Sequence, residues 1–184
     1  RDQPRSRGLG DVYKRQPLRL FFALPCPPAL AAQICAWRDT LPLDGQPVAQ
    51  ANLHLTLAFL GSVPRGRKAE LRAIGERLPR QGFELELDHV ARWGNGILHL
   101  APSHIPAALH ELVQALREAL RAGGFEVEQR PFHPHITLAR HAHHTPAATA
   151  SFLLPARAVT LFSSENSPSG VRYRAIGEWP LDGA

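Results

Sequence analysis

The sequence predicts a mixed α and β fold of two similar lobes, related by a pseudo-twofold axis and separated by a cleft. Three observations carry that expectation. Leu20-Phe-Phe-Ala-Leu-Pro25 has a counterpart in Ile97-Leu-His-Leu-Ala-Pro102. Each segment is followed by an Ala/Leu-rich helix that opens on proline, a residue tolerated in a first helical turn. Each helix then leads to a strand reading His-x-Thr-Leu, His54 to Leu57 and His135 to Leu138, at nearly the same offset. Self-similarity at this spacing sets the architecture before any single motif is weighed.

The elements follow in order. Leu18 to Leu24 reads as a buried strand. Pro25, Pro27 and Pro28 open a helix running to about Leu41, and 41–50, with Gly45 and two prolines, is a loop. Leu53 to Leu60 is a strand that Gly61 stops. Arg67 to Leu78 is an amphipathic helix with Leu71, Ile74 and Leu78 on one side. Phe83 to Leu87 alternates as a half-buried strand, and the Gly94-Asn95-Gly96 turn leads into a strand from Ile97 to Leu100. From Pro106 to Ala122 an apolar stripe of Leu109, Leu112, Val113, Leu116 and Leu120 marks a helix, ended by Gly123-Gly124. His135 to Ala139 is a strand and His141 to Ala150 a loop; Val159 to Phe162 and Val171 to Ile176 are the last strands.

The first sixteen residues, RDQPRSRGLGDVYKRQ, have no sustained period and no apolar stretch of a secretory signal. They read as the translation of a cloning adapter, with a natural disordered basic arm as the alternative. The remainder, 17–184, reads as one bilobal domain. Five basic residues against Asp2 and Asp11 give the tail more than half of the chain's formal charge of +5. A broad positive field is therefore not indicated, and any nucleic-acid contact must be local. No apolar run reaches the roughly 18 residues needed to span a bilayer. Cys26 and Cys35 fit neither a zinc pattern nor a disulfide, being expected on one helix, and two free thiols favour a reducing cytoplasm.

On a strand, residues two apart share a face. His54 and Thr56 therefore point one way, with Leu53, Leu55, Leu57 and Phe59 pointing into the core. His135 and Thr137 share a face in the same manner, with Ile136 and Leu138 opposite. If the twofold brings these faces together, the cleft holds two imidazoles and two hydroxyls. That set suits a phosphodiester. A neutral imidazole takes a proton from water, an imidazolium gives one to a leaving alkoxide, and hydroxyls donate to the charged phosphate oxygens. A single His-x-Thr is more often a solvated strand face. Two copies at equivalent places in a repeat are not.

At this point the sequence resembles the two-histidine phosphoesterase superfamily, in the branch of RNA 2',3'-cyclic phosphodiesterases, formerly called 2'-5' RNA ligases. The matching residues are Asn52-Leu-His-Leu-Thr-Leu-Ala-Phe-Leu-Gly61 and Arg130-Pro-Phe-His-Pro-His-Ile-Thr-Leu-Ala-Arg140, with Leu161 to Ser164, Gly170 to Tyr173 and Trp179-Pro-Leu181 in support. The likeness spans about 18–181. It implies a bilobal α+β fold with two antiparallel sheets flanking the cleft and helices packed outside. It implies His54 as proton donor and His135 as proton acceptor. It implies hydrolysis of RNA 2',3'-cyclic phosphate ends to 2'-phosphomonoesters, with reversible 2'-5' ligation as a further possibility. Neither a nucleotide cofactor nor a metal enters, and the expected partners are RNA ends or nucleoside 2',3'-cyclic phosphates met by a monomer. The resemblance also gives Arg140 to the phosphate. Strict alternation places it on the face opposite His135, unless a bulge turns it; the alternative is a surface arginine.

His133, His141, His143 and His144 crowd near His135, but a solvated loop fits them better than a metal site. His89, His99, His104 and His110 have no partner at a recognisable spacing. Phe22 and Phe59 read as core, while Tyr173 and Phe132 are candidates for stacking on a base. Two other readings compete. One is a different phosphodiester, such as an ADP-ribose cyclic phosphate or a 2',5'-oligonucleotide. The other is an RNA-end binding module without catalysis.

Overall fold

The structure, a computed structural model, describes residues 16–183. The tail expected at 1–16 therefore lies, Gln16 apart, outside the described residues. Strand β1 (Leu18–Pro25) leads into helix α1 (Pro28–Arg38), which begins at a proline and buries Ala31, Ile34, Cys35 and Arg38 along one stripe. A short strand β2 (Gln46–Pro47) and a 3-10 turn (Gln50–Asn52) precede β3 (His54–Val63). Helix α2 (Lys68–Glu76), strands β4 (Phe83–Leu87) and β5 (His89–Arg92) complete the first half. The second half runs β6 (Leu98–Ala101), α3 (Ala107–Ala122), β7 (Ile136–Arg140), β8 (Phe152–Ala156), β9 (Ala158–Ser167) and β10 (Gly170–Pro180).

Two antiparallel sheets result. The larger has eight strands in the order β10-β9-β1-β3-β7-β6-β5, with β2 on the far end of β7; the smaller pairs β4 with β8. The larger sheet is two halves joined at its middle through one residue pair, Leu55 with Ile136. The two His-x-Thr segments thus pass each other, antiparallel, at the twofold axis. The halves are also laced: β5 closes the second half by pairing with β6, and β9 closes the first by pairing with β1. Leu20, Phe22 and Leu24 from one half and Leu100, Ile136 and Leu138 from the other share one hydrophobic cluster. The alternation expected of β4 is complete, Phe83, Leu85 and Leu87 being buried and Glu84 and Glu86 exposed.

Several expectations need correction. Gly61 does not stop β3. It takes a positive φ of 65° beside a bulge at Leu60, and the strand runs on to Val63. Leu60 is left out of the pairing, since Leu20 faces Gly61 and Phe21 faces Phe59. Cys26 precedes α1, so the two free thiols do not share a helix. Strands β2, β5 and β8 fall where no strand was expected. Finally, the sheet registers pair Ala23 with Thr56 and His99 with Thr137, so His99 is the counterpart of Ala23; matching Pro25 to Pro102 put the repeat one residue out.

Candidate active site

The cleft face is built by alternation. His54, Thr56, His135 and Thr137 are all partly exposed, while Leu53, Leu55, Leu57, Ile136 and Leu138 between them are buried. The two motifs are fixed in the same way. Nδ1 of His54 donates to the carbonyl of Asn52 at 2.7 Å, and Nδ1 of His135 donates to the carbonyl of His133 at 2.8 Å. A carbonyl can only accept, so each ring keeps a proton on Nδ1 and leaves Nε2 for another partner. Asn52 is held in turn by its side-chain amide, which donates to the Val171 carbonyl of β10 at 2.9 Å.

Beyond that shared frame the two histidines differ. Nε2 of His54 lies 2.9 Å from the Thr56 hydroxyl, whereas Nε2 of His135 has no hydrogen bond among the described residues. His54 is packed against the rings of Phe21 (4.9 Å between centroids) and Tyr173 (5.2 Å, edge-on). His135 meets Trp93 edge-on at 4.5 Å and His99 at 5.3 Å. Burial lowers the pKa of His54 below its ordinary value; the Asn52 carbonyl opposes this, and charge on His135 and Arg140 adds to it. Burial likewise lowers His135, against the His133 carbonyl, with His133 and Arg140 helping and Glu128 opposing. The two imidazoles and the guanidinium are thus close enough to feel one another's charge.

Bulges decide the next residues. Phe22 pairs with Ala58 but Ala23 with Thr56, leaving Leu57 extra in β3; Leu98 pairs with Ala139 but His99 with Thr137, leaving Leu138 extra in β7. One extra residue reverses the alternation beyond it. Leu138 and Ala139 are both buried, and Arg140 emerges exposed on the cleft side rather than on the face opposite His135. The same step in the first half overturns the core assignment of Phe59, which is 55% exposed. Phe59 and Arg140 are therefore twofold counterparts, an aromatic ring in one half and a guanidinium in the other. The second bulge is clamped from below: Arg38, 5% exposed on α1, donates to the carbonyls of Leu138 (3.2 Å) and Val48 (2.6 Å) and to Asp39 (3.1 Å).

Other expected residues sort plainly. Phe22 is core. Tyr173 sits against His54. Phe132 lines a cavity of about 520 Å³ that also touches Thr56, Phe59, Trp93, Arg130 and His135; His54, Thr137 and Arg140 lie outside its wall. In the histidine-rich loop, the backbone N–H of His143 donates to the Asp44 carboxylate at 3.0 Å, which holds that carboxyl below its ordinary range. Among the described residues no three His, Cys, Asp or Glu are grouped to hold a metal ion. His99, which has no partner at a recognisable sequence spacing, is 2% exposed and lies tilted against Trp93 with 4.0 Å between ring centroids, its Nδ1 donating to the Ile97 carbonyl at 3.1 Å. Nothing in the sequence marks Phe21, Trp93 or His99 for this site; Arg38 alone carries a signal, as a charge on an otherwise apolar helical stripe.

The profile of the 2'-5' RNA ligase superfamily matches residues 26–175. The chain belongs to this superfamily. Among its relatives is the RNA 2',3'-cyclic phosphodiesterase of Escherichia coli, 38% identical over 173 residues, covering 90% of this chain and 98% of the relative. The enzyme of that name from Thermus thermophilus is 32% identical, covering 90% and 91%. Of solved structures, E. coli LigT complexed with 3'-AMP superposes with a TM-score of 0.83 at 35% identity, covering 91% of this chain and all of that one. The α+β architecture is thus shared with the solved relative. No helix among the described residues is long and apolar enough to cross a membrane.

Proposed function

We propose that this chain hydrolyses 2',3'-cyclic phosphates at RNA ends to 2'-phosphomonoesters, with His135 as proton acceptor and His54 as proton donor. The observation that carries the reading is the matched pair of imidazoles, each fixed through Nδ1 by the carbonyl two residues before it, with the charge of His135 acting on His54. The neutral Nε2 of His135 takes a proton from water as the water oxygen attacks phosphorus. The P–O3' bond breaks, and Nε2–H of His54 delivers its proton to O3'. The 2'-phosphomonoester remains. Both ring nitrogens of His54 have oxygen partners, as suits an imidazolium, and the open Nε2 of His135 suits a base. Thr56, Thr137 and Arg140 hold the non-bridging oxygens as charge gathers there. On substrate binding the Thr56 hydroxyl turns from His54 to the phosphate. With a 5'-hydroxyl in place of water as the nucleophile, the same forward steps form a P–O5' bond as the P–O3' bond breaks, and so join RNA ends through a 2'-5' bond.

The relatives carry the name RNA 2',3'-cyclic phosphodiesterase, and one solved relative holds 3'-AMP. Both support a ribonucleotide substrate. We place the protein in the cytoplasm as a monomer, where Cys26 and Cys35 remain thiols; burial pushes Cys26 up to about 12 and leaves it unreactive. The test is product analysis. Adenosine 2',3'-cyclic phosphate incubated with the protein in EDTA should yield the 2'-phosphate alone. Binding without turnover would leave an RNA-end module. Turnover only of 2',5'-oligonucleotides or ADP-ribose cyclic phosphate would move the substrate elsewhere in the superfamily.

A further inference from the structure

We propose that the cavity beside His135 is a nucleobase subsite, with the indole of Trp93 as its stacking platform and Phe59 and Phe132 as further walls. This rests on the proposed function and names the part of the substrate that the phosphate site leaves unheld. The cavity abuts both halves of that site, touching Thr56 from β3 and His135 before β7, and at about 520 Å³ it has room for one nucleoside. The large exposed hydrophobics among the described residues are Phe59, Trp93, Ile105, Leu153 and Val171. The two aromatic ones both line this cavity, and the three aliphatic ones do not. Aromatic rings left open in one concave place mark a ligand site more than a surface accident.

The platform is stiff. Trp93 is 37% exposed, and the buried imidazole of His99 backs its ring at 4.0 Å and 34°. His135 meets the indole edge-on at 76°. The backbone of Trp93 is tied into its turn, its N–H donating to Ile97 and its carbonyl accepting from Gly96. A ring braced in this way loses little freedom when a base stacks on it. Phe59 reaches the cavity through the Leu57 bulge. Its twofold counterpart, Arg140, puts a guanidinium at the equivalent place in the other half. A symmetric frame with an aromatic on one side and a cation on the other matches a substrate with a base at one end and a phosphate at the other. Ring faces do not read base edges, so the subsite accepts all four bases and favours the larger purines.

The test is steady-state kinetics of the full chain on adenosine 2',3'-cyclic phosphate and on the base-free methyl ribofuranoside 2',3'-cyclic phosphate. The wild type should favour the nucleoside about tenfold in kcat/KM, through KM, as loss of one base stack implies. Trp93→Ala and Phe59→Ala should each remove most of that preference, and His99→Ala, which withdraws the brace, part of it. Equal losses on both substrates in Trp93→Ala would mean that the indole serves His135 alone, and would overturn the subsite. So would a wild type indifferent to the base. If the wild type cleaves neither substrate, the proposed activity fails and the subsite is judged by binding. Adenosine 2'-monophosphate should then quench tryptophan fluorescence in the wild type and not in Trp93→Phe; undiminished quenching in the variant would overturn it.

Discussion

Replacing Thr56 by valine keeps the branched side chain and removes one hydroxyl, the group 2.9 Å from Nε2 of His54. In the resting protein that hydroxyl makes one hydrogen bond at a partly exposed site, worth about 0.5–1.5 kcal/mol net. Water can replace it at Nε2, and valine suits a strand at least as well as threonine. Thr56→Val should therefore cost about 1 kcal/mol or less, a fall in Tm of about 2–4 °C for a protein of this size. Its effect on turnover should be far larger. If the hydroxyl donates to a phosphate oxygen in the transition state, its loss resembles removal of one oxyanion donor, about 10²-fold or more in kcat. Thr137→Val should lose a similar factor in kcat with a still smaller change in Tm, because Thr137 makes no side-chain hydrogen bond among the described residues. Thermal denaturation and turnover of adenosine 2',3'-cyclic phosphate, measured on the same preparations, separate the two effects. A kcat within about threefold of wild type in both variants would refute the reasoning, since neither hydroxyl would then touch the charged oxygens.

Three further outcomes follow from the same geometry. Arg38→Met leaves the Val48 carbonyl short of its donor and frees the Leu138 bulge; it should destabilise the fold by about 2–4 kcal/mol and weaken phosphate inhibition, and inhibition unchanged in a folded variant would separate Arg38 from Arg140. His54, His99 and His135 are all held below the ordinary histidine value by burial. The unfolded chain therefore binds their protons more readily, so the stability they contribute is present above about pH 6.5 and lost as pH falls through their lower native values. Tm should drop between pH 7 and pH 5, inorganic phosphate should restore more of it at pH 5 than at pH 8, and a flat Tm would contradict the assignment. Gly75→Ala drives a methyl into the Trp179 indole, whose N–H donates to Glu76 at 3.0 Å, and should cost about 1–3 kcal/mol with kcat untouched, read by denaturation and turnover together.

What the sequence disclosed and what it hid have one physical origin. Alternation is strictly local, so the faces of His54, Thr56, His135 and Thr137 and the full pattern of β4 were legible residue by residue. A bulge inserts one residue at a point set by the partner strand, and nothing in Leu57 or Leu138 announces it. The faces of Phe59 and Arg140 lie beyond those bulges and were misassigned or left open for that reason. Strand β8 carries Pro155, which argues against a strand, yet β8 pairs with β4 alone and one of its edges is free of that sheet. His99 and Trp93 reach the site only through the hairpin of β5 and β6, a long-range arrangement that no spacing encodes. The repeat gave the twofold correctly but not its register, because Pro25 is the last residue of β1 while Pro102 lies just past the end of β6, and the two are not equivalent rungs of the sheet.

The central claim is the division of labour between the two histidines, and leaving-group dependence tests it most directly. His54→Ala and His135→Ala should each lose about 10²–10⁴-fold on adenosine 2',3'-cyclic phosphate, whose departing ribose oxygen needs a proton. On a p-nitrophenyl phosphodiester the leaving group departs unprotonated. There His54→Ala should recover most of its loss, while His135→Ala, still without a base for water, should recover little. Rescue of His135→Ala instead would exchange the two roles, and full activity in either variant on the nucleoside substrate would contradict the two-histidine mechanism.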